Sequence, residues 1–229
     1  VKLVLFDIDG TLLWTDGAGR RSMEAALLEV FGSAGDTAYR YDGKTDQQIA
    51  REQMRGAGIE DSVISARMND VLAAYLTRLT AEFERDKSSV RMCVGVPPLL
   101  DALEAHEHAV LGLLTGNVAD GARRKLEAVG IDANRFRVNA FGSDHELRPE
   151  LPGIARQRAM EMLGLDVHGD GIVIIGDTPA DIHCGRSLGA RAIGVATGRY
   201  SVEELQSHGA AAVFADLSDT DAVVKAILN

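Results

Sequence analysis

The sequence predicts an α/β fold with a mostly parallel sheet and an inserted block of helices, on three observations. Short apolar, β-rich runs alternate with amphipathic helical patterns from residue 95 onward, which signals βαβ units. The run Ile172–Ile175 is apolar throughout and β-branched, as expected of a strand covered on both faces. Between Trp14 and Met92 three helical patterns follow one another with no convincing strand, so a helical unit interrupts the α/β pattern after its first strand.

Taken in order, Val1–Phe6 is the first strand, followed at once by Asp7, Asp9, Gly10 and Thr11. Gly17 and Gly19 break the apolar continuation at Leu12–Trp14. Met23, Ala26, Leu27, Val30 and Phe31 then recur at helical spacing, and Gly32 closes that helix. Asp42–Asp46 reads as a turn and N-cap for a second helix to Arg55. A third, longer helix carries Val63, Ile64, Met68, Val71, Leu72, Tyr75, Leu76, Leu79 and Phe83. Pro97 and Pro98 start a helix through about Glu107, and Ala109–Leu114 forms a strand ending in Thr115-Gly116-Asn117. Next come a helix at Ala119–Val129, a strand near Arg137–Phe141 and a helix at Leu151–Leu163. The strand Ile172–Ile175 leads through Asp177 and Asp181 into a helix reaching Leu188. Strands at Ala192–Ala196 and Ala212–Phe214 and helices around Val202–Ser207 and at the C-terminal end complete the pattern.

At 229 residues the chain is long enough for one sizeable core and a smaller second one. A net charge of −10, with no Lys/Arg run to reverse it locally, argues against nucleic acid or anionic membrane as partner. An anionic substrate would have to be drawn by a metal or by a few placed cations. Cys93 and Cys184 form no ligand or redox motif and suit a reducing compartment. The apolar opening is too short for a signal peptide or membrane span, so a cytoplasmic location is expected. His145, His168 and His183 have no spacing partner that would make them ligands.

In open parallel sheets the ligand crevice lies beyond the carboxyl ends of the strands, and the chain's polar residues fall there. Asp7 and Asp9 leave their strand on the same side because side chains alternate with period two. Thr115, Asn117, Asp177 and Asp181 belong to the same edge. Carboxylates with a hydroxyl and an amide, and no His or Cys, favour a hard ion such as Mg²⁺. A small anion such as phosphate would bind against that ion, helped by N–H groups at the helix start after Asn117.

Four motifs, Phe6–Thr11 (FDIDGT), Leu113–Asn117 (LLTGN), Leu147–Pro152 (LRPELP) and Ile174–Asp181 (IIGDTPAD), resemble in order and spacing those of the haloacid dehalogenase superfamily of hydrolases. The resemblance covers nearly the whole chain. It implies a Rossmann-like core (1–13 and 93–229) and an α-helical cap domain of the C1 type (14–92). It also implies that Asp7 is the nucleophile and that Asp9 protonates the leaving oxygen and then activates water. Mg²⁺ would be held by the Asp7 carboxylate, the Asp9 backbone carbonyl and Asp177, with Asp181 behind them. Gly10, Thr115 and the Gly116-Asn117 backbone would receive the phosphoryl oxygens. The family's third motif usually has Lys where Arg148 stands here; a guanidinium still neutralises a phosphoryl oxygen, but as a fork. Arg156 and Arg158, farther along, are poorer candidates. In the cap, Lys44 with Gly43 and Thr45, and Arg20, are the candidates for contact with the leaving group.

The function expected is Mg²⁺-dependent hydrolysis of a small phosphorylated metabolite, as in the phosphoglycolate phosphatase branch. A β-phosphoglucomutase-type phosphomutase shares the core residues but would need an Arg- and Ser-rich cap segment, which Gly43–Ile49 lacks. The dehalogenase branch lacks the second Asp. A phosphonate-cleaving relative would use Lys44 as a Schiff base. A non-catalytic phosphate-binding module gains little from so costly a carboxylate cluster. The expected partner is a small-molecule phosphate ester, with its identity and the oligomeric state left open.

Overall fold

In the computed structural model, which describes Val1–Asn229, the chain enters through β1 (Lys2–Phe6) and a two-residue β2 (Leu13–Trp14). Helices α1 (Ala18–Phe31), α2 (Asp46–Gly56) and α3 (Asp61–Arg85) follow, then β3 (Arg91–Met92). From there helices and strands alternate: α4 (Val96–Glu104), β4 (Ala109–Thr115), α5 (Ala119–Ala128), β5 (Val138–Phe141), α6 (Leu151–Leu163) and β6 (Ile172–Gly176). The chain ends with α7 (Pro179–Cys184), β7 (Arg191–Val195), α8 (Val202–Ser207), β8 (Ala212–Phe214) and α9 (Thr220–Leu228).

Six strands form one sheet in the order β5-β4-β1-β6-β7-β8, every neighbouring pair parallel. From β1 the chain builds outward to β4 and β5, then returns to place β6 on the other side of β1. The crevice of such a sheet opens at that reversal. Phe6 pairs with Leu113 of β4 and with Ile175 of β6, so the residues following all three strands emerge together at one edge.

The period-two alternation of β1 divides its side chains between two layers. Leu3 and Leu5 pack with Leu151, Ala155 and Ala159 of α6. Val4 and Phe6 face the other layer with Leu99, Leu103 and Leu126. This second layer continues without a break into the helical insertion, through Leu12, Met23, Leu27, Ile64, Tyr75 and Leu79. The smaller second core expected from chain length is thus an extension of the first.

Three details depart from the sequence reading. Leu13 pairs with Met92 and Trp14 with Arg91 in an antiparallel ribbon that joins the entry and exit of the insertion; two-residue strands are too short to leave a periodic signature. Helix α4 stops at Glu104, because residues 106–109 make a tight turn (Ala109 N to His106 O, 3.0 Å) into β4. The helix expected to reach Leu188 ends at Cys184 and resumes as a single 3₁₀ turn at Arg186–Leu188. At Gly185 between them the backbone presses on the sheet, and a Cβ would lie 2.5 Å from Ile174 Cδ1. No helix is long and apolar enough to cross a membrane.

Candidate active site

A pocket of about 460 Å³ opens at the carboxyl edge of the sheet, beneath the helical insertion. Asp7, Asp9, Thr115, Gly116, Asn117, Arg148 and Asp177 line it from the sheet side, and Arg20, Lys44 and Asp46 from the insertion. Six of its 26 lining residues are hydrophobic, so the lining suits a polar ligand.

Around Asp7 the pocket is closed and acidic. Asp7 is 6% exposed, its N–H donating to Ile175 O at 2.9 Å. One carboxylate oxygen from each of Asp7, Asp177 and Asp181 falls within 4.8 Å of the others. Glycines make room for this crowding: a Cβ on Gly10, at φ +82°, would lie 2.3 Å from Asp177 Oδ2, and one on Gly198 would lie 1.8 Å from it. Burial raises the Asp7 pKa to about 6; Arg148 works against that rise, while Asp181 and Asp9 add to it. Burial, with Asp181 and Asp7 beside it, likewise drives Asp177 well above the ordinary range. The cluster therefore carries more negative charge than its one cation offsets, and the donors are all oxygen. A hard divalent ion fits that requirement.

Arg148 is that cation. Its Nη2 lies 3.2 Å from Asp7 Oδ1, donates to Leu114 O at 3.2 Å and is bonded to Asp181 Oδ1. The second oxygen of Asp181 accepts from Thr178 N at 2.9 Å and from Thr178 Oγ1 at 2.7 Å, as half of the capping box that starts α7. With both oxygens engaged, Asp181 supports the cluster from behind. Arg156 and Arg158 do not line the pocket; Arg158 pairs with Asp144 at 2.7 Å.

Around Asp9 the surroundings differ. Its side chain is 40% exposed, and both oxygens accept from Lys125 Nζ, at 2.8 and 2.7 Å. The Asn117 amide donates to Asp9 Oδ2 at 2.7 Å and to Thr115 Oγ1 at 2.8 Å, while its carbonyl oxygen accepts from Lys125 at 2.6 Å. Thr115 Oγ1 accepts twice from Asn117, which leaves its own proton to donate into the pocket. The Asp9 carboxylate is thus held by Lys125 and Asn117 and is not one of the three clustered around Asp7.

The insertion is seated directly on this loop. Asp46 N donates to Gly116 O at 2.8 Å, and Asp46 Oδ2 accepts from Val118 N at 2.8 Å. A Cβ at Gly116 would lie 2.1 Å from Lys44 O, so only glycine allows this approach. Lys44 lines the pocket, but its ammonium is bonded to Glu52 at 2.6 Å and to the Tyr39 hydroxyl. Partial burial of Glu52 is outweighed by Lys44 and Tyr39, which pull its pKa down to about 2. Arg20 bonds Glu24 at 3.0 Å and the carbonyls of Thr37 and Tyr39, and stacks over Tyr41. It braces the loop above the pocket while facing into it.

Two residues of this site escaped the sequence reading. Lys125 sits on the buried face of α5, three residues after Ala122 and one before Leu126; a lysine at an apolar helical position was the signal available. Asp46 reads in the sequence only as part of the turn and N-cap that start the second helix, and its docking on Val118 is what distinguishes it.

The family model for haloacid dehalogenase-like hydrolases matches residues 4–186, most of the chain and all four motifs. The chain belongs to the haloacid dehalogenase-like hydrolase family. Within it, a phosphoglycolate phosphatase of Rhodospirillum rubrum is 28% identical over 228 residues, covering 95% of this chain and 88% of that protein. A hydrolase from Pseudomonas syringae shares the fold with a TM-score of 0.73 at 22% identity, over 100% of this chain and 99% of its own. CbbY from Rhodobacter sphaeroides, solved in complex with phosphate, does so with a TM-score of 0.69 at 20% identity over 96% of each chain. The α/β sheet with its inserted helices is the architecture of this family's C1-capped members.

Proposed function

We propose that this haloacid dehalogenase-like hydrolase is a Mg²⁺-dependent phosphatase acting on a small phosphorylated metabolite. The observation that carries the reading is a buried carboxylate on the pocket floor, Asp7, flanked by Arg148, by Asp177 and by a second aspartate, Asp9, which lines the same cavity with its side chain 40% exposed. The relationship to a phosphoglycolate phosphatase, at 28% identity, supports a phosphate ester as substrate class. In this reading the chain divides into a core (1–13 and 93–229) and a cap (14–92) that selects the leaving group.

Asp7 attacks phosphorus, forming an aspartyl-phosphate as the bond to the leaving oxygen breaks, and the proton on Asp9 passes to that oxygen. Asp9 then takes a proton from water, whose oxygen attacks phosphorus and returns Asp7 as a carboxylate. Thr115 and the Gly116-Asn117 backbone hold phosphoryl oxygens, and Arg148 balances their charge. The Asp7 and Asp177 carboxylates and the Asp9 carbonyl would hold Mg²⁺, with Asp181 behind them. The ion supplies positive charge that lets an anionic ester approach an acidic floor. Release of inorganic phosphate from a broad panel of phosphorylated metabolites, with and without EDTA, tests the reading. Turnover indifferent to EDTA, or none on any member, overturns it.

A further inference from the structure

Lys125 is the lysine this fold shuts away from water, 4% exposed. A buried ammonium is costly unless its N–H groups are used, and all three contacts of Lys125 serve one task. Two go to the oxygens of Asp9 and the third to Asn117 Oδ1, whose amide nitrogen donates back to Asp9. The network admits a single orientation of the Asn117 amide, oxygen toward the ammonium and nitrogen toward the carboxylate. From this geometry we propose that Lys125 is the positioning residue of Asp9, holding its carboxylate at the leaving-group side of the pocket and away from the cation-binding group of Asp7 and Asp177.

The inference rests on the phosphatase reading and deepens it. Asp7 and Asp9 are two residues apart and line the same pocket, so a divalent charge at Asp7 attracts both. An Asp9 turned toward that charge would add a ligand and lose its reach to the leaving oxygen. Lys125 supplies the competing cation, and the two aspartates draw on different ones: Asp7 shares Arg148 with Asp181, and Asp9 is held by Lys125. A protonated Asp9 keeps one oxygen free to accept from Lys125, so the arrangement holds in both protonation states. The neighbouring Arg124 donates to Leu76 O of α3 at 2.7 Å, which fastens the helix bearing Lys125 to the insertion above the pocket.

Lys125→Met tests this with two esters, 4-nitrophenyl phosphate, whose leaving group departs without a proton, and glycerol phosphate, whose leaving group needs one. The expected result is a kcat on glycerol phosphate lowered at least about a hundredfold, with KM changed by less than about threefold. First-turnover release of nitrophenol should fall far less, by under about fivefold, and Lys125→Arg should recover part of the glycerol phosphate loss. Equal losses on both esters, or a change in KM alone, overturn the proposal. A crystal structure of Lys125→Met with Mg²⁺ gives a second readout independent of turnover: Asp9 should leave Asn117 and swing toward Asp7 and Asp177, and an unmoved Asp9 overturns the proposal. Should the methionine variant fail to fold, Lys125→Gln is read the same way. If the wild-type chain cleaves neither ester, the metabolite panel decides the phosphatase reading, and the crystallographic comparison by itself decides whether Lys125 places Asp9.

Discussion

Asp7 and Asp9 are the same side chain two positions apart, yet they occupy opposite halves of one pocket. The Asp7 half is sealed and over-charged: three carboxylates share Arg148, and burial pushes Asp7 up to about 6. The Asp9 half is open to the cavity and balanced, with a lysine committed to one carboxylate. The difference teaches that what a carboxylate can do is set by the cation it shares and the water it meets. A half short of positive charge is suited to receive a metal and a phosphate; a balanced, accessible half is suited to move protons.

The comparison breaks most sharply at Asp7. Asp7→Asn keeps the shape and removes the nucleophile, so phosphate release should fall more than about a thousandfold while circular dichroism stays unchanged; surviving turnover would dismantle the covalent mechanism. Arg148 comes next. Arg148→Met leaves Asp7 and Asp181 without their buried partner, and loss of one member of such a pair costs about 3–5 kcal/mol. Denaturant unfolding should register that loss in the metal-free protein, with Mg²⁺ restoring part of it. Thr115→Val removes one donor to a phosphoryl oxygen, an interaction of about 1.5–3 kcal/mol for a charged acceptor. Steady-state kinetics should accordingly show kcat/KM lower by about ten- to a hundredfold.

At Asp46 stability separates from chemistry. Burial lifts Asp46 from its ordinary value of 3.8 to about 6, against the pull of Lys125 and Val118 N–H. The folded state thus disfavours the Asp46 anion. That cost is absent below about pH 4, grows between pH 4 and 6 and is complete above it. Asn in its place keeps an oxygen for Val118 N–H and carries no charge. Melting curves should therefore show Asp46→Asn gaining on the wild type by about 6–12 °C between pH 4 and pH 7. A constant difference across that range would mean that the anion is not what the fold disfavours at this position.

Much of this could be read in the chain. Helices α1, α6 and α8 and strand β8 fall on the residues their periodicity marks, because apolar spacing and a closing Gly32 or Gly164 are local signals. The gathering of Asp7, Thr115 and Asp177 at one edge follows from strand ends and a parallel sheet. The β2–β3 ribbon was not legible, since its partners lie far apart in sequence and each spans two residues. Lys125 was hidden for a related reason. Its partner Asp9 is 116 residues away, and nothing in the local helical pattern names that partner.

By itself the sequence determined the class of fold, the family and the kinds of group that meet at the pocket, because these depend on periodicity and on short motifs whose members are neighbours in the chain. Only the tertiary structure decided which cation serves which carboxylate, that Lys44 and Arg20 are tied to partners within the insertion, and that Asp46 seats the insertion on the Gly116–Val118 loop. Charge pairing acts over a few ångströms of space, and space is what the order of residues leaves unspecified until the strands are laid side by side.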